Sequence, residues 1–280
     1  MENLTSSSNP YTIDEAVSDP VMFFGRSELF SWIEDMLQNR PLGEPLILFG
    51  PPGVGKSSIL KQLALGRLGE GMAVFQTDIK NLPLENLCSF LWALAEKINE
   101  DTVSSDVKIL VSPVEYSRFS AEPGAAFEEF LAIIREDRLQ EKQLVMAFDD
   151  LDILIGQSQE GYPEYEILSY LHNLLQRDKD LSCIITLNVP VDKLPPNALA
   201  PFNLSNQFEV SNFDLETTLT FLKQSVLFNT SAVVGEYIFK LTDGHPGDIQ
   251  RLCYRLYERR LKNQLLHITL ADVASITRQS

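Results

Sequence analysis

Eight consecutive residues, Gly50-Pro51-Pro52-Gly53-Val54-Gly55-Lys56-Ser57, follow the pattern Gly-x-x-x-x-Gly-Lys-Ser. No other stretch restricts the fold of this chain as much. A loop of this composition winds its backbone around a row of phosphates with its N–H groups pointing inward, and glycines make that path accessible. Lys56 brings a point charge to the β- and γ-phosphates, and the Ser57 hydroxyl is of the type that ligates Mg²⁺. The flanks agree. Leu46 to Phe49 reads as a short buried strand, and the run from Ser57 and Ser58 through Ile59, Leu60 and Leu63 has helical spacing. Strand, loop and helix in that order put the helix N-terminus at the anion. Gly50 to Ser58 is therefore a candidate phosphate-binding segment.

The remaining pattern suits such a loop. Met72 to Thr77, Leu144 to Phe148, Cys183 to Leu187 and a short Phe208 to Val210 read as four further strands. Helical periodicity separates them: Leu29, Phe30, Ile33, Met36 and Leu37 after a capping Ser27, then Leu84 to Ile98, Ala125 to Leu139, and Tyr165 to Leu175. Alternation of this kind gives a parallel sheet covered on both faces. The expected fold is an α/β three-layer sandwich of the P-loop type with a five-stranded parallel sheet. From Asp214 onward the pattern is helical only, through Phe221, Leu222 and Val226, then Val233 to Leu241. Pro246 suits the first position of the next helix and Thr269 caps a last one. The expected division is an extended arm over 1–22, a core over 23–211 and a small helical lid over 212–280. Residues 101–123, with Pro113 and Pro123, fit neither period and read as a long loop or insertion.

Composition excludes several classes. The 280-residue chain has no run of about 18 apolar residues, so no membrane span is expected. Met1 to Ser8 lacks the basic and apolar regions of a signal peptide. Cys88, Cys183 and Cys253 are too few and too scattered for a disulfide or zinc framework. A cytoplasmic location is the expectation. The net charge of −16 argues against a surface devoted to nucleic acid. One basic concentration exists: Arg251, Arg255 and Arg259 recur every four residues, with Arg260, Lys262 and an interrupting Glu258. It is either a solvated helix face or a patch for nucleic acid or an acidic partner.

The strand ending in Asp149-Asp150 supplies the second chemical part. Asp149 would hold Mg²⁺, usually through water. Asp150 would sit beside the γ-phosphate and polarise an attacking water. Along the chain one strand, 72–77, intervenes between this strand and the loop strand, an order in which the two are not immediate neighbours. Asn188, at the end of the fourth strand, is of the type that orients the water or touches the γ-phosphate, or it is a plain turn residue before Pro190. Thr186 lies two residues back and shares its direction. Asp152 reads as a helix cap or loop residue, and His172 as structural.

Four elements in order, Phe23-Phe24-Gly25-Arg26-Ser27-Glu28-Leu29, the phosphate loop, Asp149-Asp150, and Leu241-Thr242-Asp243-Gly244-His245-Pro246, resemble STAND-class signalling ATPases and their Orc1/Cdc6-like AAA relatives. Asn9-Pro10-Tyr11 ahead of them is similar to the same group, and the resemblance spans about residues 9–275. It implies ATP or ADP with Mg²⁺, an adenine pocket lined by Phe24, Gly25 and Arg26, and Pro246 packing on the base from the lid. A lid with one contact to the nucleotide turns ligand occupancy into domain orientation. Two departures bear on rate. No arginine occurs between Arg177 and Arg251, where ring-forming AAA+ motors usually place a trans-acting finger, and Gln250 stands where the lid often carries an arginine. An arginine finger is worth roughly 10³–10⁵ in rate. Aspartate at 150 is also one methylene shorter than the glutamate more often found there. Length departs as well, since such proteins usually continue into a winged helix, repeats or an effector.

The expectation from these residues is a slowly hydrolysing ATP switch that controls a protein partner. An AAA-type ATPase assembling on DNA is the alternative, less favoured by the acidic charge. A nucleotide-bound interaction module with negligible turnover is a third. A nucleotide-dependent homo-oligomer stays open.

Overall fold

The computed structural model describes residues 9–39, 43–102, 112–139, 142–155, 162–194, 206–224, 231–265 and 267–277. Met1 to Ser8, Val226, the prolines at 195, 196 and 201, and the middle of the 101–123 segment lie outside them. The chain divides into two compact units, Met1–Ser27 with Pro51–Gln62 and Val210–Ser280, and Glu28–Gly50 with Leu63–Glu209.

The second unit holds a five-stranded parallel sheet. Its strands are β1 (Leu46–Phe49), β2 (Met72–Asp78), β3 (Gln143–Asp149), β4 (Leu181–Leu187) and β5 (Gln207–Glu209), ordered β2-β3-β4-β1-β5. The carboxylate strand β3 is thus separated from the loop strand β1 by β4, while β2 lies outside β3. The register pairs Leu48 with Thr186 across β1 and β4, and Asp78 with Asp149 across β2 and β3. β4 is buried along its whole length and β3 from Leu144 to Asp149, as a parallel sheet covered on both faces requires.

Strand alternation sorts the side chains. Leu144, Met146 and Phe148 of β3, with Leu181, Cys183, Ile185 and Leu187 of β4, enter one apolar core. That core also takes Phe90, Leu91 and Leu94 of α3 (Leu87–Thr102), Phe127 and Phe130 of α5 (Pro123–Ile134), and Leu171 and Leu174 of α7 (Pro163–Arg177). The intervening positions, Asp149 and Thr186 among them, face the other way. α1 (Ser27–Asn39) buries Leu29, Phe30, Ile33 and Leu37, and its Trp32 meets Phe208 of β5 at 5.3 Å between ring centroids. Beyond Ile134 the helix continues as a π turn over Arg135–Leu139.

Part of the segment expected to be loop is helical. α4 (Tyr116–Ala121) forms because Phe119 is fully buried, edge-on to Trp92 at 5.2 Å. Two isolated aromatics inside a proline-flanked stretch have no period to read, so packing rather than local pattern sets this helix.

The first unit contains α2 (Lys56–Ala64) to Gln62, then α8 (Leu215–Gln224), α9 (Ala232–Thr242), α10 (Pro246–Asn263) and α11 (Leu270–Thr277). Pro246 opens α10 as expected, where its missing N–H costs no hydrogen bond. Thr269 caps α11, exchanging bonds with Asp272. Within this unit the arm has a definite role. Tyr11, Met22 and Phe24 are buried in one core with Phe221, Ile238, Leu252 and Tyr257. Phe24 sits edge-on to Phe221 at 5.0 Å, and Asn9 bonds the Tyr254 carbonyl and the Glu258 carboxylate of α10. No helix among the described residues is long and apolar enough to cross a membrane.

Candidate functional site

The phosphate loop leaves β1 at Gly50, whose N–H donates to the Leu187 carbonyl at 3.1 Å. Gly53 and Gly55 adopt φ of +80° and +105°, values that a side chain would strain. A Cβ at Gly55 would stand in open space, so the loop is hollow on that side. Lys56 is 5% exposed and its ammonium donates to the Pro51 carbonyl at 3.2 Å. With the first-turn N–H groups of α2 and the Ser57 hydroxyl, this donor set suits a polyphosphate.

The outward carbonyls of the loop are engaged one after another. His245 Nε2 lies 2.9 Å from the Pro52 oxygen, the Gly247 N–H donates to the Gly53 oxygen at 3.0 Å, and Arg26 donates to the Val54 oxygen at 3.0 Å. Arg26 is stacked under Phe213, 4.9 Å from its ring centroid, and burial lowers its pKa to about 10, leaving it cationic at neutral pH. The arm also passes the start of α2. The Val17 N–H donates to Ser58 Oγ, and Gln62 donates to the carbonyls of Val17 and Ser18.

The turn that presents His245 is equally constrained. Gly244 has φ +69°, and a Cβ there would overlap the Phe213 carbonyl oxygen. The Phe213 N–H donates to the Gly244 oxygen at 2.9 Å. His245 caps α10 by accepting from the Asp248 N–H, and Asp248 in turn pairs with Arg251. Arg251 also pairs with Asp14 and Arg259 pairs with Asp272, so two members of the basic stripe are committed within this unit. A concave surface of about 620 Å³ remains beside α10, lined by Tyr254, Arg255, Arg259, Lys262 and Asn263 among others.

At the carboxylate edge, β4 holds the end of β3 through one buried side chain. Thr186, fully buried, donates its hydroxyl to Asp149 Oδ1 at 2.6 Å and accepts the Asp150 N–H at 2.9 Å. Its carbonyl accepts from Leu151. Asp150 is thereby held at φ +54°, a left-handed conformation rare outside glycine. Asn188 donates through Nδ2 to Asp150 Oδ1 at 3.3 Å and to Asp152 Oδ2 at 2.7 Å. Lys80, just past β2, pairs with Asp78, and that hydrogen bond chiefly raises its pKa, with Asp150 and Asp149 adding to it. Among the described residues no group of three or more His, Cys, Asp or Glu could hold a metal by itself.

The structure therefore brings together Asp149, Asp150, Asn188 and Thr186 in one unit, and Gly53 to Ser58 with Arg26 and the Gly244-His245-Pro246 turn in the other. The sequence reading missed His245 as a contact of the loop, Lys80 as the cation beside the carboxylates, and Asp152 as the partner of Asn188. Strand parity could have found Thr186 sharing the face of Asp149. Nothing in the sequence pattern marks the other three.

A phosphate loop between strand and helix, a parallel sheet in which one strand separates the loop strand from the carboxylate strand, and a helical C-terminal part define an AAA-type P-loop ATPase domain. A family model described as an ATPase domain predominantly from Archaea matches residues 23–252, and the chain belongs to that family. Its fold is Orc1/Cdc6-like. Aeropyrum pernix Orc1, solved in complex with DNA, superposes with a TM-score of 0.60 at 13% identity over 93% of this chain and 66% of that one. A Walker-type ATPase of Pyrococcus abyssi gives 0.59 at 19% identity over 94% and 74%. In sequence, the replication factor C large subunit of Sulfolobus acidocaldarius is 37% identical over 57 residues, which span 20% of this chain and 13% of that relative.

Proposed function

We propose that this chain is an ATP-binding, slowly hydrolysing molecular switch of the STAND/AAA type that controls a protein partner. The observation that carries this reading is the row of bonds from His245, Gly247 and Arg26 to three successive carbonyls of the phosphate loop. Carbonyls fixed outward leave the intervening N–H groups inward, so the shape that accepts phosphates and the placement of α10 depend on each other. Ligand occupancy then biases the helices. In functional terms we divide the chain into an arm (1–22), a nucleotide core (23–211) and a lid (212–280).

The residues take roles as follows. Gly50, Pro51, Pro52, Gly53, Val54, Gly55 and Ser58 form the cradle and the helix start, and Lys56 turns its ammonium from Pro51 to the β- and γ-phosphates. Phe24, Gly25, Arg26 and Pro246 form the adenine side. Asp150, oriented by Asn188, accepts a proton from the attacking water. Ser57 and Asp149 would hold Mg²⁺, which supplies charge neutralisation at the transferred phosphoryl group. Slow turnover follows from the arginine-free stretch between Arg177 and Arg251. Single-turnover hydrolysis of Mg·ATP, with occupancy and oligomeric mass read in the same samples, tests this. Tight binding with slow, concentration-independent turnover is the expected result. Turnover rising steeply with protein concentration refutes an autonomous switch, and absent turnover leaves only a nucleotide-bound interaction module.

A second reading has its own support, the concave surface beside α10 that carries Arg255, Arg259 and Lys262 with Glu258 among them, and the similarity to an Orc1 solved with DNA. In it the chain is an AAA ATPase that assembles on DNA. Retention on duplex DNA that weakens with a log-linear salt slope, and is lost in Arg255→Ala with Lys262→Ala, would favour it.

A further inference from the structure

We propose that Arg251 is a positioning residue for nucleotide binding: through Asp248 it keeps the single proton of a neutral His245 on Nε2, the nitrogen that bonds the phosphate loop. The role rests on the ATP-binding reading above. The groups form one line inside the unit that contains the loop. Arg251 donates to Asp248 Oδ1 at 2.6 Å and to Asp14 Oδ1 of the arm at 3.0 Å, so its guanidinium is fixed from two sides. Asp248 Oδ2 lies 3.1 Å from His245 Nδ1, and His245 Nε2 lies 2.9 Å from the Pro52 oxygen. Asp248 stands three residues after the capping histidine, the place from which an acidic side chain commonly reaches back to the cap's backbone N–H. Here that N–H donates to the Thr242 oxygen at 2.9 Å, and the carboxylate stands beside the imidazole instead.

A neutral imidazole has one proton for two nitrogens. Pro52 offers only an acceptor, so the loop bond exists only while Nε2 carries that proton. Nδ1 is then bare, and the Asp248 backbone N–H donates to it at 3.3 Å. The Asp248 carboxylate pulls the other way, because it is itself an acceptor and favours a proton on Nδ1. A proton drawn to Nδ1 leaves the Nε2 lone pair facing the Pro52 oxygen, and the bond to the loop is lost. Arg251 draws the Asp248 charge to its own side, and that hydrogen bond is the chief cause of the raised Arg251 pKa. The arginine thereby decides which ring nitrogen is protonated. This gives a use to the first member of the Arg251, Arg255 and Arg259 stripe. The other charged groups on the elements around His245 are Asp243 in its own turn, Asp214 ahead of α8, Arg26 of the arm and Lys56 of the loop. Arg26 and Lys56 donate to loop carbonyls, and Asp214 accepts from Thr217.

The test uses the full chain with Arg251→Met, Asp248→Asn and the double variant. Methionine keeps much of the apolar stem and removes the charge. The ring ¹⁵N signals of His245, assigned by their loss in His245→Gln, are read without nucleotide, and Mg·ATP affinity is read by fluorescent-nucleotide titration. At about pH 8 the wild-type ring should show a protonated Nε2 and a bare Nδ1. Arg251→Met should move the proton to Nδ1 and weaken ATP binding by roughly 2- to 10-fold, the worth of one neutral hydrogen bond. Adding Asp248→Asn should restore both, because an amide N–H donates to a bare Nδ1. The Arg251→Met deficit should also close toward about pH 5.5, since an imidazolium carries both protons and keeps the loop bond whichever way Asp248 pulls. A merely structural ion pair predicts neither the moved proton nor this recovery. A proton that stays on Nε2 in Arg251→Met, or a deficit that persists in the double variant, overturns the assignment. If the wild-type chain does not bind Mg·ATP, the nucleotide reading fails, and the ring signals decide the role of Arg251: a proton moved to Nδ1 upholds it, an unmoved one refutes it.

Discussion

Replacing Thr186 by valine is the sharpest probe of the carboxylate edge, because it changes one buried hydroxyl to a methyl of nearly the same volume. That hydroxyl donates to Asp149 Oδ1 at 2.6 Å and accepts the Asp150 N–H at 2.9 Å. The first is a charge-assisted bond, worth about 1.5–3 kcal/mol, and losing its partner leaves the Asp150 N–H short of an acceptor at about 1–3 kcal/mol more. Valine fits a strand as well as threonine does, so the backbone term is small. The expected loss is about 3 kcal/mol, or roughly 6–12 °C in thermal midpoint for a chain of this size. Thr186→Ser keeps both bonds and drops one methyl, costing about 1 kcal/mol. Urea unfolding without nucleotide, followed by circular dichroism, reads these values free of ligand linkage. A cycle with Asp149→Ala isolates the bond, with an expected coupling of about 1.5–3 kcal/mol. Coupling below about 0.5 kcal/mol, or a serine variant as unstable as the valine one, would refute the clamp.

Four other outcomes are expected. Lys56→Ala should abolish Mg·ATP binding in a fluorescent-nucleotide titration, since it removes the buried ammonium of the loop. Asp150→Asn should bind Mg·ATP normally yet stop turnover; persistent turnover would place the base elsewhere. Gly244→Ala should lower the urea midpoint by an amount equivalent to about 2–4 kcal/mol, because φ is +69° and the new methyl overlaps the Phe213 carbonyl. Asp214 accepts the Thr217 N–H at 2.7 Å, and that bond is the main cause of its pKa falling below 3.8. A depressed folded pKa means stabilisation present above about 3.8 and lost as pH falls through the folded value. The stability gap between wild type and Asp214→Ala should therefore narrow between about pH 5 and pH 2 in urea titrations.

Much of this molecule was legible before any coordinates. All five strands fall within a residue or two of their expected positions, because strands buried on both faces in a parallel sheet are near-continuous apolar runs. Pro246 and Thr269 were legible as helix starts because capping chemistry is local. Phe119 was not, since its helix exists only through contact with Trp92, some twenty-seven residues earlier in the chain. The spatial strand order was only half legible. The carboxylate strand is indeed not adjacent to the loop strand, but the strand between them is β4 rather than β2, and crossovers leave no trace in periodicity. Asp152 reads in the sequence only as a helix cap or loop residue, because its partner, Asn188, arrives from another strand.

The resemblance suggested that a proline on the lid reads the base, while the bonds of this chain add a second and more direct line. Pro52, Gly53 and Val54 have carbonyls, not side chains, in contact with His245, Gly247 and Arg26. The proposed coupling therefore runs through the backbone at 52–54. Rotating one peptide to turn an N–H away from the phosphates also turns its carbonyl away from the helix that bonds it. On the proposed reading, emptying the loop and releasing α10 become a single event, with no need for a lid arginine to report the γ-phosphate. On that logic, Gln250 at the position where an arginine is often found is no defect. In the proposed switch, the bonds from α10 to the loop are what register whether nucleotide is bound.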